Sequence, residues 1–476
     1  VLVDCRWLLH RKPTGRVKAR MVARQVKHGV DSMDTFAATA TTTGARLLLG
    51  LAAWRNAEEG KDKWCVSFGD VKTAFLHAAL PDSQHVFLKP PRTEGEGLWR
   101  ALKALYGLRQ APRLFQEHLA EAISHTGWRR LKVEPMVFSH AGSNALLSVF
   151  ADDLLLVCRR RELDSVRATV DAELRIVWGE MLTEGGEWTR YLGKHWKLDK
   201  GIFYVRVPPT YWAGLLEEQG LANCKPIATP AELSENKGDE TPLDATSHAS
   251  YRRIVGKLMY GSLVRPDLQY IVKELARKLA GPTQQDWARV RRVLRYVRGT
   301  VDMVQQITGH TIGAKETDGI DCYADANWAS GPSRRSTSGG CLYYRGTLIA
   351  TWSRTQPTIT LSTAEAELLA LGVATQEGQF LQHLLQELKL DCPLRLYSDS
   401  SAARAIVAKR GVGRLKHLAV KDLWLQDELR AGRIIVRQVG TASNVADLFT
   451  KVFGLARHSV LLDMVGLRRQ VGTTSV

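Results

Sequence analysis

The sequence predicts an α/β protein of several domains, and three observations carry that expectation. A chain of 476 residues is long for one domain and suggests about two to four. Its composition, 45% hydrophobic and 24% charged, is that of a globular protein and excludes a disordered polar chain or a collagen-like one. Strand-like and helix-like apolar patterns alternate near both ends, as an α/β architecture requires.

Taken in order, the chain opens on two β-type runs around Pro13-Thr14-Gly15, which reads as a hairpin. It starts at Val1 with no basic or apolar leader pattern, so no signal peptide is expected and the chain reads as part of a longer polypeptide. Residues 43–55 have helical apolar spacing, 64–71 read as a buried strand and 111–124 again as helix. Residues 145–157, ALLSVFADDLLLV, read as two strands joined by an acidic turn. A mixed, helix-rich stretch follows to about residue 317, with a linker-like polar patch at 232–247. From about 319 to 453 an α/β pattern restarts: strands at 320–324 and 340–352, helix 364–388, strand 394–398, then helix and strand again. No stretch approaches the ~18 unbroken apolar residues of a membrane span. The 7 Cys are scattered without a CxxC pair, which argues against a disulfide framework or zinc site and for reduced thiols.

Charge points to a partner. Sixty-six Lys+Arg against 49 Asp+Glu gives +17, and polyanionic nucleic acid is the first candidate; the alternative is an evenly solvated basic surface. In ARVRRVLRYVRGT, Arg291, Arg295 and Arg298 share one helical face while Val290, Val293, Leu294 and Val297 face inward. That face either tracks phosphates or is simply solvated.

Carboxylates stand where apolar strands would not want them. Asp70 follows the β-rich run CVSFGD, and Asp152 and Asp153 interrupt VFADDLLLV. An isolated Asp-Asp pair is most often a turn. Buried at a strand end beside a third acid, it is costly unless it holds a cation. Mg²⁺ suits carboxylate and phosphate oxygens, and two such ions stabilise the attacking and leaving oxygens of an in-line phosphoryl transfer.

FGDVKTAFLHAALPDSQHVFLKPP, LYGLRQAPRLFQEHL and VFADDLLLV, in that order, resemble the reverse transcriptase of copia-type LTR retrotransposon Pol polyproteins. RYLGKHWKL, ANCKPIATP, YRRIVGKLMY, RPDLQYIV and RRVLRYVRGT continue the resemblance downstream. It implies a right-hand polymerase (fingers and palm 1–230, thumb and connection helices 231–315), then a ribonuclease H-like α/β domain at 316–455 and a tail at 456–476. Asp70, Asp152 and Asp153 would be the palm's metal-binding triad, with two Mg²⁺ per active site and Mn²⁺ as the alternative. Phe75 would be the bulky gate against a ribose 2′-OH, with plain core packing as the other reading. Tyr106, Gly107 and Gln110 would form the loop-helix element at nucleotide and template. Arg20 and Arg24 would be triphosphate ligands, because a guanidinium fork matches phosphate geometry, or else solvated surface charge. The turn 191–194 would position the primer. Two departures stand out: Phe150 replaces the family's Tyr before the Asp pair, and Ala111 its usual Ser.

A second set of acids lies at element ends in the C-terminal zone: Asp325 in CYADANWAS, Glu367 in LSTAEAELLAL, Asp399 in LRLYSDSSAARAI and Asp447 in TASNVADLFTK. Any one of them could be a helix cap. Four in strand–helix–strand–helix order resemble the ribonuclease H domain of the same family and would hold two divalent ions. STSGGCLYY and NVADLFTKVF belong to the same resemblance. His417 would assist water activation or product release, with a surface His as the other reading; Glu365 and Asp321 read as solvated. The implied partners are RNA template, DNA primer and product, RNA–DNA hybrid, deoxynucleoside triphosphates and other segments of the same polyprotein. The implied location is a cytoplasmic retrotransposon particle, with no membrane association.

Overall fold

The computed structural model describes residues 1–11, 15–26, 34–60, 63–233, 238–308, 318–331, 333–411 and 423–470. The turn at Pro13-Thr14 and His417 lie outside these residues. The fold is mixed α/β, and its contacts group residues into two units: Val1–Ala45 with Trp64–Met181, and Arg46–Lys63 with Leu182–Val476. Among the described residues no helix is long and apolar enough to cross a membrane.

In the first unit, β1 (Leu2–Arg11) and β2 (Val17–Ala23) pair antiparallel, so the expected hairpin forms. Helix α1 (Thr42–Glu59) follows, its residues from Arg46 onward grouping with the second unit. Next come β3 (Trp64–Val71), β4 (Phe87–Lys89), β5 (Trp99–Arg100), α2 (Ala111–Ser124), β6 (Trp128–Arg130), β7 (Val137–His140), β8 (Leu146–Phe150), β9 (Asp153–Arg159), α3 (Leu163–Asp171) and β10 (Ile176–Met181). A small sheet runs β2-β1-β4-β5, and a six-stranded one runs β10-β3-β9-β8-β7-β6. Helix α2 starts at Ala111 because Pro112 suits a first turn, where its missing N–H costs nothing. Its Leu114, Phe115, Leu119, Ala122 and Ile123 recur at helical spacing and are buried. Phe115, Leu119 and Ile123 pack with Leu154, Leu156 and Cys158 of β9 and Val166 and Val170 of α3.

The second unit adds β11 (Thr189–Tyr191), β12 (Lys194–Asp199), β13 (Ile202–Arg206), α4 (Pro209–Glu218), α5 (Ala245–Ser262), α6 (Pro266–Ala276), α7 (Gln284–Arg298) and β14 (Met303–Ile307). It continues with β15 (Ile320–Asn327), β16 (Thr337–Tyr344), β17 (Thr347–Thr355), α8 (Thr363–Glu387), β18 (Leu394–Ser398), α9 (Ser401–Ala408), α10 (Trp424–Arg430), β19 (Ile435–Gln438), α11 (Leu455–Met464) and β20 (Leu467–Arg469). One five-stranded sheet runs β11-β12-β13-β14-β20 and is antiparallel throughout. The other runs β17-β16-β15-β18-β19, antiparallel through β15 and parallel from β15 to β19. Helix α8 packs on β15, β16 and β18.

Two expectations need correction. Residues 340–352 do not form one strand: Arg345 (φ 49°) and Gly346 (φ 77°) turn the chain between β16 and β17, a two-residue hairpin loop with both residues left-handed. The linker-like patch ends inside a helix, since Asp244 caps α5 by accepting from the Thr246 and Ser247 amides.

Candidate active sites

The first acidic site is built by strand register. In the β3–β9 ladder Asp70 lies opposite Asp153, and β8–β9 turn over through Ala151 and Asp152. Ala151 sits at φ 54°, and the Asp152 carbonyl accepts from Val71 N–H at 2.8 Å, which fixes the turn against β3. The three carboxylates converge at one end of the sheet. Burial, then Asp152 and Asp70, push the Asp153 carboxyl up to about 6. Burial and Asp152 also raise Asp70, opposed by Lys18, Arg20 and Lys72. The site thus carries uncompensated negative charge with a basic rim from β2.

Around it, the Phe75 ring stands 4.6 Å from Tyr106 and 6.1 Å from Phe115, half-buried between two cores. The Arg20 guanidinium lies 5.1 Å over the Tyr106 ring and faces Asp70, so Arg20 joins the site. Arg24 is exposed past the end of β2, where its backbone N–H donates to Asp4 O at 2.8 Å. Gly107 has φ 92°, and a Cβ there would come 1.9 Å from Ala23 O; only glycine lets β2 close on this loop through the Ala23 N–H to Tyr106 O bond of 2.7 Å. Gln110 is turned inward, 2% exposed, with Nε2 donating to Gln84 and Oε1 left without a partner.

The second site is tighter. Asp325 near the end of β15, Glu367 on the first turns of α8 and Asp399 between β18 and α9 offer ligand oxygens all within 4.8 Å of one another. Among the described residues no other group of three His, Cys, Asp or Glu side chains is gathered this closely. Burial, then Asp325 and Asp399, push Glu367 up to about 8; its carboxylate accepts from the Ala326 amide, yet Oε2 is buried without a partner. Burial raises Asp325 to about 6 against the lowering effect of Lys451 and the Thr450 hydroxyl. A buried oxygen with no donor beside two further carboxylates is a cost that a hard cation would remove. The residues present therefore fit a divalent ion.

Asp447 reaches the same neighbourhood but is held by cations: Lys451 Nζ at 2.9 Å and Arg457 at 3.1 Å. The Asp447 segment lies flat on β16 because Gly339, register partner of Asp325, has no Cβ; one would meet Thr450 Cγ2 at 2.5 Å. The second glycine of STSGGCLYY, Gly340, has a different reason: a Cβ there would overlap the Trp352 ring and come 2.6 Å from Tyr323 O. Sequence reasoning missed Lys451, although it stands four residues after Asp447 in a string already singled out.

Other expectations fare differently. Glu365 and Asp321 are buried, not solvated: Glu365 accepts from the Leu361 amide at 2.7 Å and Asp321 pairs with Arg395 at 2.6 Å. Arg295 and Arg298 donate to the Lys225 and Ala222 carbonyls at 2.9 and 2.7 Å, clamping the segment after α4, while Arg291 is exposed. The turn 191–194 is a hairpin with Leu192 at φ 48° and Gly193 at φ 69°. Its Lys194 amine sits 3.2 Å from the Tyr260 ring centroid and donates to Tyr260 O at 3.1 Å; burial, then Arg46, pushes it down to about 7.

A family model described as reverse transcriptase (RNA-dependent DNA polymerase) matches residues 2–233. The chain is 29% identical over 475 residues to the Retrovirus-related Pol polyprotein from transposon RE2 of Arabidopsis thaliana, covering 94% of this chain and 31% of that protein. It is 28% identical over 499 residues to the corresponding polyprotein from transposon TNT 1-94 of Nicotiana tabacum, covering 98% and 36%. The chain thus spans about a third of the length of the curated relatives it matches. The protease–reverse transcriptase of prototype foamy virus aligns over 95% of this chain and 52% of that one, with 12% identity and a TM-score of 0.25, too low to bear on the fold. With the reverse transcriptase family's model in its first 233 residues and Pol relatives along nearly its whole length, the chain belongs to the Pol polyprotein family of copia-type retrotransposons.

Proposed function

We propose that the chain synthesises DNA on RNA and DNA templates and hydrolyses the RNA strand of the resulting hybrid. Two separate acidic sites, one in each unit, support this reading, and the unpartnered Glu367 oxygen within a trio of carboxylates carries it. On this reading residues 1–230 are fingers and palm, 231–315 thumb and connection, and 316–455 a ribonuclease H-like domain; the expected tail at 456–476 is corrected by the fold, since α11 and β20 bury Leu461, Val465 and Leu467 and β20 pairs with β14.

In the palm, Asp70, Asp152 and Asp153 would hold Mg²⁺, which when bound lowers the pKa of a primer 3′-OH and neutralises triphosphate charge. The chain's own residues bind and orient. Arg20, half over Tyr106, presents a fork to phosphate oxygens. Phe75 and Tyr106, with ring centroids 4.6 Å apart and planes tilted by 51°, form an aromatic wall against the sugar edge of a nucleotide. Phe150 supplies no hydroxyl, so it positions primer by ring contact alone. In the second site Asp325, Glu367 and Asp399 would hold the ion, with Asp447 as fourth acid. The partners are template, primer, hybrid and deoxynucleoside triphosphates, and the setting is a cytoplasmic particle.

Primer extension on a homopolymer RNA template, paired with cleavage of a labelled RNA–DNA hybrid, tests both halves. Extension and cleavage, each requiring a divalent ion, are expected. Hybrid binding with neither activity would mean a nucleic-acid-binding relic, and cleavage without extension would leave only a nuclease.

A further inference from the structure

We propose that Lys451 is a resident cation in the second metal position of the C-terminal site, so that this site as folded takes one divalent ion. The inference rests on the ribonuclease reading and deepens it. Lys451 Nζ lies 3.1 Å from the Asp325 carboxylate and 2.9 Å from Asp447 Oδ1, so the ammonium bridges these two acids where a second cation would otherwise stand. Asp325, Glu367 and Asp399 make the close trio on the other side, and Asp447 is not a member of it.

The slot is held open from outside. Arg457 grips Asp447 Oδ2 at 3.1 Å and is itself fixed by the Ala442 and Thr441 carbonyls at 2.5 and 3.1 Å. Thr450 Oγ1 donates to Asp325 from the same segment. Removing the ammonium therefore leaves two carboxylates in place with no charge between them. Oxygen–metal distances for Mg²⁺ are about 2.0–2.1 Å, shorter than these ammonium contacts, so an ion and the ammonium cannot share the position.

Calorimetric titration with Mn²⁺ of the full chain, in an Asp152→Asn, Asp153→Asn background that silences the other site, counts the ions. One ion is expected with Lys451 and with Lys451→Arg, and two with Lys451→Met. Lys451→Gln, which keeps a polar end, is the second variant and is also expected to take two; circular dichroism checks that each variant is folded. One ion in every variant would overturn the proposal while leaving the ribonuclease reading intact. No ion in the parent would overturn both, and the two failures are distinguishable.

Discussion

Replacing Glu367 by Gln should stabilise the metal-free protein, and only above the ordinary range of a carboxylate. Glu367 stands at about 8 in the fold against a usual 4.5, because it is buried and faces Asp325 and Asp399. The sign follows from linkage. Below pH 4.5 the group is protonated in both folded and unfolded chains and costs nothing. As pH climbs from 4.5 to 8 the unfolded chain releases a proton that the folded one keeps, so stability falls. At about 1.4 kcal/mol per pH unit the full loss is on the order of 3–5 kcal/mol by pH 8. Gln removes the titration and places an amide N–H₂ where Oε2 now has no partner, toward two acceptor carboxylates. Thermal melts in EDTA should therefore coincide near pH 4.5 and separate by pH 8, with the variant higher by roughly 6–15 °C at the usual conversion for domains of this size. Mg²⁺ should raise the parent more than the variant, which keeps only the other acidic site. A separation that does not change between pH 4.5 and pH 8 would show that the Glu367 charge is already compensated.

Asp153→Asn should cut primer extension at least a thousandfold while hybrid cleavage stays within about twofold, since the two acid clusters share no ligand; loss of both activities in a folded protein would refute two sites. Phe75→Ala should raise ribonucleotide incorporation about tenfold or more and cost roughly 1–3 kcal/mol of stability through lost contacts with Tyr106 and Phe115. Unchanged sugar selectivity would make Phe75 core alone. Gly107→Ala should destabilise by about 2 kcal/mol or more, because its Cβ would overlap Ala23 O at 1.9 Å; an unaffected melt would exclude this loop closure. Hybrid binding should weaken on the order of a thousandfold between 50 and 200 mM salt, and a flat response would mean that the charge of +17 is spread rather than grooved.

Elements whose character is set by local pattern were readable from the chain. Strand 64–71 and helix 111–124 match because burial at every position of the strand but Asp70, and 3.6-residue spacing in the helix, leave one solution each. The hairpin at 345–346 was not readable as such: Arg-Gly is a weak turn signal, and flanking apolar residues ran straight through it. At the sites, acids announced themselves by standing in apolar company, but their partners did not. Arg20 and Arg24 look alike in sequence and both are exposed; what parts them is that Arg20, within β2, lies over Tyr106 while Arg24 stands past the strand's end. Gln110 looked like a ligand and is turned inward, because a helix start fixes direction through neighbours that are remote along the chain.

What separates functional acids from structural ones here is compensation, not burial. Asp267 is fully buried, yet Arg265 binds it with two nitrogens at 2.9 and 2.7 Å and Tyr296 donates at 2.7 Å, so its carboxyl is held below the usual range despite desolvation. Asp321 has Arg395, and Glu134 accepts from the Thr41 hydroxyl at 2.7 Å. A fold able to arrange such partners for three acids had the means to arrange them for Glu367 and Asp153. Instead those two face other carboxylates, and one keeps a buried oxygen with no donor at all. Leaving charge uncompensated at two places while neutralising it elsewhere lowers stability, and such costs persist at sites whose missing partner arrives from solution. Lys451 is the intermediate case. It compensates Asp325 and Asp447 with a cation that is tethered yet half-exposed, so the fourth acid is satisfied in the resting fold and the other three wait for the ion.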